Sequence, residues 1–533
     1  MEWSSSLRNV LVLSVVVSSR AWAGPFTVNP LVPVDISVSD PFATCTADDV
    51  AGQPGKVFPN TVAEPWVEVN LHDPANIVAG YQQDRWSNAG ARGLVASVSL
   101  NAGSSWKQVV IPKVNLCSGG TVVNGGDFQR STDPWLSFSP DGALYFFTLS
   151  LDITPPANTP GGFGKNALFV SKSTDGGLTW GDPIKIIEDT NPRFLNDKNS
   201  ITADPNDSSF VYAVWDRLKL PVGSIINPEN VIGFGFQGPV MLSRTANAGA
   251  TWEAAREIFN PGANAQTIGN QIVVLPDGTL VDFFNEIFGF KDPGGDKFVY
   301  NVALIRSTDE GVTWTKGQAI QVAQLLSKAA FDPGGFGIRD PDTGEPLRTG
   351  DIIPEPAVDH ASGALYAVWQ DSRFSNGGDF SNLALLADAI AFSQSTDGGF
   401  TWSAPIKINK TPTNSRIGDQ QAFTPAIRVS ADGTIGVTYY DLRNNALNTL
   451  ALETDYFIVH CHAATTSCTD PANWVETRLT PTSFDMRNAP VARGFFTGDY
   501  EGLAVAGNEF RPVFVQAGTS PGTSAAYTTS VGP

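Results

Sequence analysis

The sequence is poor in positive charge and in histidine. Lysine and arginine together number 34 against 53 aspartates and glutamates, there are four histidines, and the formal net charge is −19 at pH 7. A chain this acidic lacks the basic surface that nucleic acid or an anionic membrane attracts. We therefore expect neither as a partner, and the simplest consequence of the acidity is solubility.

Long apolar runs are also scarce. The clearest one, Val10–Val17, follows Arg8 and precedes the small-residue segment Ala21-Trp22-Ala23. This arrangement is typical of an export signal, and the run is too short to span a bilayer as a mature anchor. We expect residues 1–23 to be cleaved near Ala23, leaving a secreted or periplasmic protein without a membrane anchor.

Cysteine is rare as well, with four in the whole chain. An even number in an exported protein favours two disulfides. Three pairings are open, and proximity in sequence favours Cys461 with Cys468 and Cys45 with Cys117. A zinc site is the alternative, but the histidines do not gather near all four cysteines.

One motif, in contrast, recurs six times. Its successive tryptophans are 74, 72, 62, 88 and 72 residues apart, which indicates a repeated structural unit. Asp and Gly suit a tight turn, and the Trp ring requires burial, so each copy predicts a hairpin turn between two outer strands of a small sheet. The copies are Ser99–Trp106, Ser173–Trp180, Thr245–Trp252, Ser307–Trp314, Ser395–Trp402 and the degenerate Thr469–Trp474.

These motifs resemble the Asp boxes of the sialidase superfamily, and the resemblance runs from about residue 60 to the C terminus. It implies an all-β fold, a β-propeller of four-stranded antiparallel blades occupying residues 61–533. Residues 24–60 form an N-terminal segment, in which a strand near Val34–Val38 closes the ring. The resemblance suggests six blades, but seven first-strand starts favour seven; these are Glu64–Trp66, Asp133–Trp135, Asp197–Ile201, Gly269–Ile272, Pro354–Pro356, Phe423–Pro425 and Gly498–Tyr500.

Charged residues recur at the strand ends that share one face of such a ring. The first-strand starts are acidic at Glu64, Asp133, Asp197, Glu355 and Asp499. The second-strand ends pair Asp with Arg at Asp84 and Arg85, Asp216 and Arg217, Asp371 and Arg373, and Asp441 and Arg443. Recurrence favours ties between blades, because a tie is needed in every blade and a site only once. The alternative is that several arginines converge on a substrate carboxylate, which guanidinium binds bidentately.

The last repeat resembles sialidases more specifically. The family carries a Tyr-Ser-x-Leu sequence at the start of its final inner strand, and Tyr500-Glu-Gly-Leu503 stands in that place. The resemblance implies that Tyr500 is a nucleophile, which needs a carboxylate to take its proton. Neighbours on a strand point to opposite faces, so Glu64 or Glu355 is better placed for this than Glu501. The alternative is that Tyr500 only packs against the channel wall.

The chain departs from the family at other positions. The first strands begin Glu64-Pro-Trp66 and Asp133-Pro-Trp135 where the family has an arginine, and Asn270-Gln271 replace its glutamate. The loop Ser87–Gly90 lacks the expected acid/base aspartate. The segment Leu326–Thr349 is unusually long, and long ordered loops are often functional.

The sequence thus predicts a secreted, sialidase-like glycoside hydrolase, exo-acting on glycans that include acidic sugars. Alternatives are a non-catalytic propeller that binds glycan or protein, and a polysaccharide lyase. We expect a monomer with a glycan partner and no cofactor; Ca²⁺ is considered only because the rim is acidic. The candidate catalytic residues are Tyr500, Glu64 and Glu355, and the candidate substrate-binding residues are Arg85, Arg217, Arg373, Arg443, Asp84 and Asp371.

Overall fold

A computed structural model describes residues 24–153, 163–220, 237–292, 295–331, 337–447 and 450–533. The predicted export signal, residues 1–23, lies outside these ranges. The described chain is almost entirely β-sheet, and its one α-helix is the single turn Lys328–Phe331. Within the described ranges no helix has the length and apolar character needed to cross a membrane. Short 3₁₀ turns lie at Val50–Gly52, Leu116–Ser118, Asn376–Gly378, Leu383–Leu385, Ile417–Gln420, Pro471–Asn473 and Met486–Asn488.

The strands form antiparallel groups of four, which we number as units 1 to 7. Unit 1 comprises Val62–Val69, Ile77–Arg85, Ala91–Ser99 and Lys107–Val110. Unit 2 comprises Arg130–Phe138, Leu144–Leu151, Asn166–Ser173 and Ile184–Asp189. Unit 3 comprises Phe194–Ala203, Val211–Lys219, Val240–Thr245 and Arg256–Phe259. Unit 4 comprises Ala265–Val274, Leu280–Asp292, Gly295–Ser307 and Ile320–Gln324. Unit 5 comprises Glu355–Val358, Leu365–Asp371, Ala389–Ser395 and Ile406–Lys407. Unit 6 comprises Ala422–Val429, Thr434–Asp441, Glu453–His462 and Val475–Arg478. Unit 7 comprises Gly502–Ala506, Glu509–Ala517, Ser524–Gly532 and the N-terminal strand Thr27–Asp35.

The first strands of the units, called inner strands below, lie side by side around a common axis. Each contacts the inner strands of the units before and after it, and that of unit 7 contacts that of unit 1. The sheets therefore follow one another in a closed ring. Short extra strands flank it at Gln237–Gly238, Leu347–Arg348, Phe484–Asp485 and Phe495–Phe496.

The N-terminal strand completes the sheet of unit 7. Thr27–Asp35 pairs antiparallel with Ser524–Gly532, and Thr27 lies opposite Gly532. The strand begins seven residues before the predicted segment Val34–Val38 and overlaps it at two positions. Joining the first described strand to the last removes an exposed sheet edge, which would otherwise invite pairing with another chain.

Both disulfides expected from the sequence are confirmed. Cys45 bonds to Cys117, which ties the N-terminal segment to the loop after unit 1. Cys461 bonds to Cys468, which closes a short loop after the third strand of unit 6. All four cysteines are thereby used, and the chain has no free thiol.

The repeated motif forms the turn between the third and fourth strands of units 1 to 5. In unit 2 the Ser173 hydroxyl accepts a hydrogen bond from the Gly177 amide (2.9 Å), and the Asp175 carboxylate accepts one from the Thr179 amide (2.9 Å). The side chain of Asn76, in unit 1, donates to the Gly176 carbonyl at 3.0 Å. The motif thus closes a turn and links it to the neighbouring unit.

Aromatic rings fill the space between adjacent units. Trp66 of unit 1 stacks on Trp135 of unit 2 with centroids 3.5 Å apart, and Tyr456 of unit 6 stacks on Phe514 of unit 7 at 4.3 Å. Burying such side chains contributes about 1.5–3 kcal/mol each, and this packing positions the inner strands around the axis.

Candidate functional site

Five inner strands are interrupted by a β-bulge at the same point. In units 1, 2, 3, 4 and 6 the pairing register shifts there, and the first bulged residue has a positive φ. The residues are Glu64 (53°), Asp133 (54°), Lys198 (44°), Gly269 (72°) and Thr424 (50°). Glycine adopts this conformation freely, whereas another residue costs about 1–3 kcal/mol and is retained where its side chain is needed. Units 1, 2 and 3 each place a charged side chain at this strained position.

The three charged bulge residues meet at the axis with Asp499. The ammonium nitrogen of Lys198 lies 2.7 Å from Oδ2 of Asp499 and 3.9 Å from both Glu64 Oε1 and Asp133 Oδ2. The Glu64 and Asp133 oxygens are thus separated by no more than about 8 Å. We call Glu64, Asp133, Lys198, Asp499 and Arg348 the central cluster.

Arg348 enters the central cluster from the long segment noted in the sequence. Its guanidinium binds Asp499 through Nε (3.0 Å) and Nη2 (2.5 Å) and lies 4.3 Å above the ring of Phe496. The segment is fixed by the parallel pairing of Leu347–Arg348 with Phe495–Phe496. The loop thereby supplies a second cation, besides Lys198, from outside the inner strands.

Two carboxyl groups of the central cluster, Glu64 and Asp499, have pKa values shifted in opposite directions. Burial raises the pKa of Glu64 to about 8, against the opposing attraction of Lys198. Asp499 is equally buried, but Arg348 and Lys198 hold its pKa well below the usual range. A pair of carboxyls tuned in opposite directions is how proteins keep one group protonated beside an ionised one.

The side chains of the central cluster are little exposed to solvent. The side chains of Lys198, Arg348 and Asp499 expose 12, 14 and 7 % of their surface, and that of Glu64 exposes 2 %. Coulomb interactions in such a poorly hydrated place are stronger than at the protein surface. Arg348 and Lys198 are the most exposed members of the cluster, so a ligand arriving from solvent would contact them first.

Tyr500 lies beneath the central cluster and is almost fully buried. Its hydroxyl donates to the carbonyl of Pro134 at 3.3 Å, and its ring edge packs against Trp135 and Trp66. Burial first, and then the nearby carboxyls led by Glu64, raise the pKa of the phenol well above its ordinary value. The phenolate that a tyrosine nucleophile requires is therefore disfavoured here.

Glu355 is placed apart from the central cluster. Its carboxyl accepts a hydrogen bond from Gln271 at 3.0 Å, and burial raises its pKa to about 7. It makes no hydrogen bond or ion pair with Glu64, Asp133 or Asp499 among the described residues. Of the three candidate catalytic residues, the structure places Glu64 alone within the cluster.

Three of the four predicted substrate-binding arginines are held by neighbouring carboxylates. Arg217 pairs with Asp189 of the preceding unit at 2.6 Å, and Arg373 pairs with Asp371 at 2.8 Å. Arg373 also donates to the Gln324 carbonyl of the preceding unit, so both arginines link adjacent sheets. Arg443 pairs with Asp441 at 2.7 Å.

Arg85 and Asp84 point in different directions. The guanidinium of Arg85 donates to Gln82 (3.1 Å) and to the Gly90 carbonyl (2.7 Å), and it lies 5.0 Å above the Phe496 ring, which also faces Arg348. The Asp84 carboxylate accepts from the Asn60 amide at 2.8 Å. Arg85 thus belongs beside the central cluster, and Asp84 belongs to the contact with the N-terminal segment.

Sequence reasoning placed Asp133 and Asp499 on the functional face without selecting them, and it missed Lys198 and Arg348. The repeated Glu-Pro-Trp and Asp-Pro-Trp starts were the available signal for Glu64 and Asp133. Lys198 directly follows the acidic start Asp197, and Arg348 lies in a segment flagged only by its length. In unit 3 the bulge begins at Lys198, one residue after Asp197, and it is therefore Lys198 that binds Asp499.

No protein-family model matches this chain, and no curated protein does. Solved structures similar to it include a protein of unknown function from Dyadobacter fermentans, at 14 % identity and a TM-score of 0.44 over 89 % of this chain and 95 % of that one. A Hadza microbial sialidase matches at 15 % identity and 0.44, over 85 % and 73 %. An α-L-arabinofuranosidase from Fusarium graminearum matches at 11 % identity and 0.40, over 90 % and 98 %.

Proposed function

We propose that the seven units are the blades of a seven-bladed β-propeller and that the protein is an exported glycan-acting hydrolase. The observation that carries the activity is the central cluster, where a buried protonated Glu64 and the carboxylate of Asp133 lie equally far from one ammonium group. A protonated carboxyl beside a second carboxyl group is the pairing that glycosidic bond hydrolysis uses. The two disulfides support export, because such bonds persist in oxidising compartments.

Glu64 is the proton donor in this proposal. Its raised pKa keeps it protonated at neutral pH, and it would pass that proton to the glycosidic oxygen as the bond to the sugar breaks. Asp133 would accept a proton from the water that adds to the anomeric carbon. The buried Asp133 Oδ2 atom accepts no hydrogen bond from any described residue and lies 3.9 Å from the Lys198 ammonium, so it can take this part.

Lys198 and Arg348 set the charge around this pair. Asp499 binds both cations and stays ionised, which leaves Glu64 as the carboxyl that holds a proton. Lys198 faces both Glu64 and Asp133 and would stabilise negative charge on whichever is ionised. In this proposal Asp499, Lys198 and Arg348 do not react; they set the protonation states of Glu64 and Asp133.

The finer assignment, a sialidase-like exo-hydrolase of acidic sugars, is part of the same proposal. Arg85, Lys198 and Arg348 gather at the axis, and the buried Nε of Arg85 donates to no acceptor in the described part of the chain, so a sugar carboxylate would find donors there. Guanidinium suits that group. Exo action fits the low exposure of the cluster, because a chain end reaches a buried site more readily than a chain middle does.

The test is hydrolysis by the purified chain. Sialosides, uronic-acid oligosaccharides and neutral polysaccharides would each be incubated with wild type and with Asp133→Asn, and new reducing ends measured. We expect release from at least one glycan and its loss, by a hundredfold or more, in Asp133→Asn. Unsaturated products absorbing in the ultraviolet would indicate a lyase instead, and no product from any glycan would overturn the proposal.

A binding protein without catalysis is the second candidate. It is favoured by the engagement of both Asp499 oxygens with cations and by the small exposure of the cluster. A charged cluster satisfied within itself can serve as a structural hub. Glycan binding without product, unchanged by Asp133→Asn, would select this candidate.

A further inference from the structure

A groove runs along the side of the ring between units 3 and 4, away from the axis. It comprises two cavities of about 410 and 430 Å³ that share the lining residues Phe259, Asn260 and Gly317. One wall follows the fourth strand of unit 3, Arg256–Phe259, and the other follows the fourth strand of unit 4, Ile320–Gln324. We call this the side groove.

The wall of the side groove contains a buried carboxyl group. Glu286 lies on the second strand of unit 4, opposite Asn301 on the third, and is 3 % exposed. One of its oxygens accepts a hydrogen bond from the side chain of Gln321 at 2.8 Å. The other has no hydrogen-bond partner among the described residues, and no lysine or arginine there pairs with Glu286.

The free oxygen of Glu286 is not among the fully buried atoms without a partner, so it can be reached from the groove. Buried acidic groups in proteins are normally paired with a cation or fully hydrogen-bonded, since burial without partners is costly. Burial raises the pKa of Glu286, opposed by the hydrogen bond from Gln321. A free acceptor facing a cavity of this size can be satisfied by a ligand that brings its own donors.

We propose that the side groove binds a segment of neutral glycan, at a site separate from the central cluster. Sugar hydroxyls both donate and accept, which matches the carboxyl of Glu286 and the amides of Asn260, Gln318 and Gln324 that line the same cavity. The half-buried ring of Phe288 supplies an apolar surface beside them. A concave site with a few converging polar groups and a carboxyl of altered acidity is the usual form of a small-ligand pocket.

The cavity that Glu286 lines has no lysine or arginine in its wall, whereas Arg256 and Lys316 line the other cavity of the side groove. Glu286 would repel a carboxylated sugar, whereas the axis gathers Arg85, Lys198 and Arg348. An extended peptide is the main competing occupant, because no described strand pairs with the outer edges of Arg256–Phe259 and Ile320–Gln324. A peptide added there would be held by backbone hydrogen bonds, and its binding would not depend on the Glu286 carboxyl.

The experiment is calorimetric titration of the full chain with hexasaccharides of glucose, xylose or arabinose. The titrated protein carries the substitution Glu64→Gln, which leaves the side groove intact and suppresses the proposed hydrolysis. We expect saturable binding of at least one hexasaccharide, weakened tenfold or more by Glu286→Ala and by Gln321→Ala. Glu188→Gln, an exposed carboxyl on the fourth strand of unit 2, is the matched control and should bind unchanged.

The outcomes separate this site from the proposed hydrolase. Gln321 is exposed, so its truncation leaves the core untouched and keeps the test valid if Glu286→Ala fails to fold. Absence of binding by all three hexasaccharides, or binding unaffected by both groove variants, would overturn the inference. Failure of the hydrolase would instead appear as binding without product in wild type.

Discussion

Removing one partner of the buried ion pair between Lys198 and Asp499 should destabilise the protein far more than removing one partner of a surface pair of the same length. Both it and the pair between Arg511 and Glu509 have a nitrogen–oxygen distance of 2.7 Å. The Asp499 side chain is 7 % exposed, whereas that of Glu509 is 53 % exposed. Comparing the two pairs isolates the effect of burial from that of geometry.

Asp499→Asn keeps the shape of the side chain and removes its charge. Lys198 and Arg348 then lose their closest counter-charge in a poorly hydrated place, which should cost about 3–5 kcal/mol. Glu509→Gln should cost less than about 1 kcal/mol. Because the pKa of Asp499 is held well below its usual range, its stabilising contribution is present above pH 4 and the deficit should be constant between pH 5 and 7.

The assay is urea unfolding followed by tryptophan fluorescence, for both variants and for the double change Lys198→Met with Asp499→Asn. The double variant should lose less than the sum of its single changes, since the two residues interact directly. A loss in Asp499→Asn as small as that in Glu509→Gln would refute the reasoning. It would show that the cluster is well hydrated despite its low exposure.

Three further predictions follow from particular groups. The raised pKa of Glu64 favours the folded state below about pH 4.5, and that advantage is lost as the pH rises to about 8. Glu64→Gln should therefore gain stability relative to wild type over this range. Melting temperatures of the two proteins measured across the same pH series check this, and a constant difference would contradict it. Replacing Cys45 and Cys117 by serine should cost about 4 kcal/mol, against about 2 kcal/mol for Cys461 and Cys468, because the loops they close span 72 and 7 residues; equal losses in urea unfolding would argue against this. Asp175→Ala removes hydrogen bonds to the Thr179 amide and hydroxyl and should cost about 1–2 kcal/mol while leaving glycan turnover unchanged; reduced turnover in the folded variant would place that turn in the site.

The parts of the fold that depend on local sequence could be predicted. The repeated turns carry their own hydrogen-bonding groups, as Ser173 and Asp175 do, so a short motif is enough to place them. Both disulfides could be predicted because each pair is the one that proximity in sequence favours. The closing strand was placed seven residues late, because Val34–Val38 and Thr27–Asp35 are both plausible edge strands and the pairing with Ser524–Gly532 is a long-range contact.

The central cluster could be predicted only in part, for a geometric reason. Acidic strand starts identified Glu64, but a bulge changes which residue of a pair points to the axis, as it does for Asp197 and Lys198. Arg348 arrives from a loop between sheets, and no periodicity specifies where such a loop ends. Tyr500 occupies the expected strand start, but its environment of stacked tryptophans is set by two other units.

Turnover by Glu64→Gln compared with Glu68→Gln tests the central claim most directly. The two glutamates lie on the same inner strand, and Glu68 contacts Trp66 and Arg428 rather than the cluster. With the best glycan found, kcat/KM should fall by about 10²–10⁴-fold in Glu64→Gln and stay within a few fold of wild type in Glu68→Gln. Equal activity in the two variants would contradict the assignment of Glu64 as the proton donor at the axis.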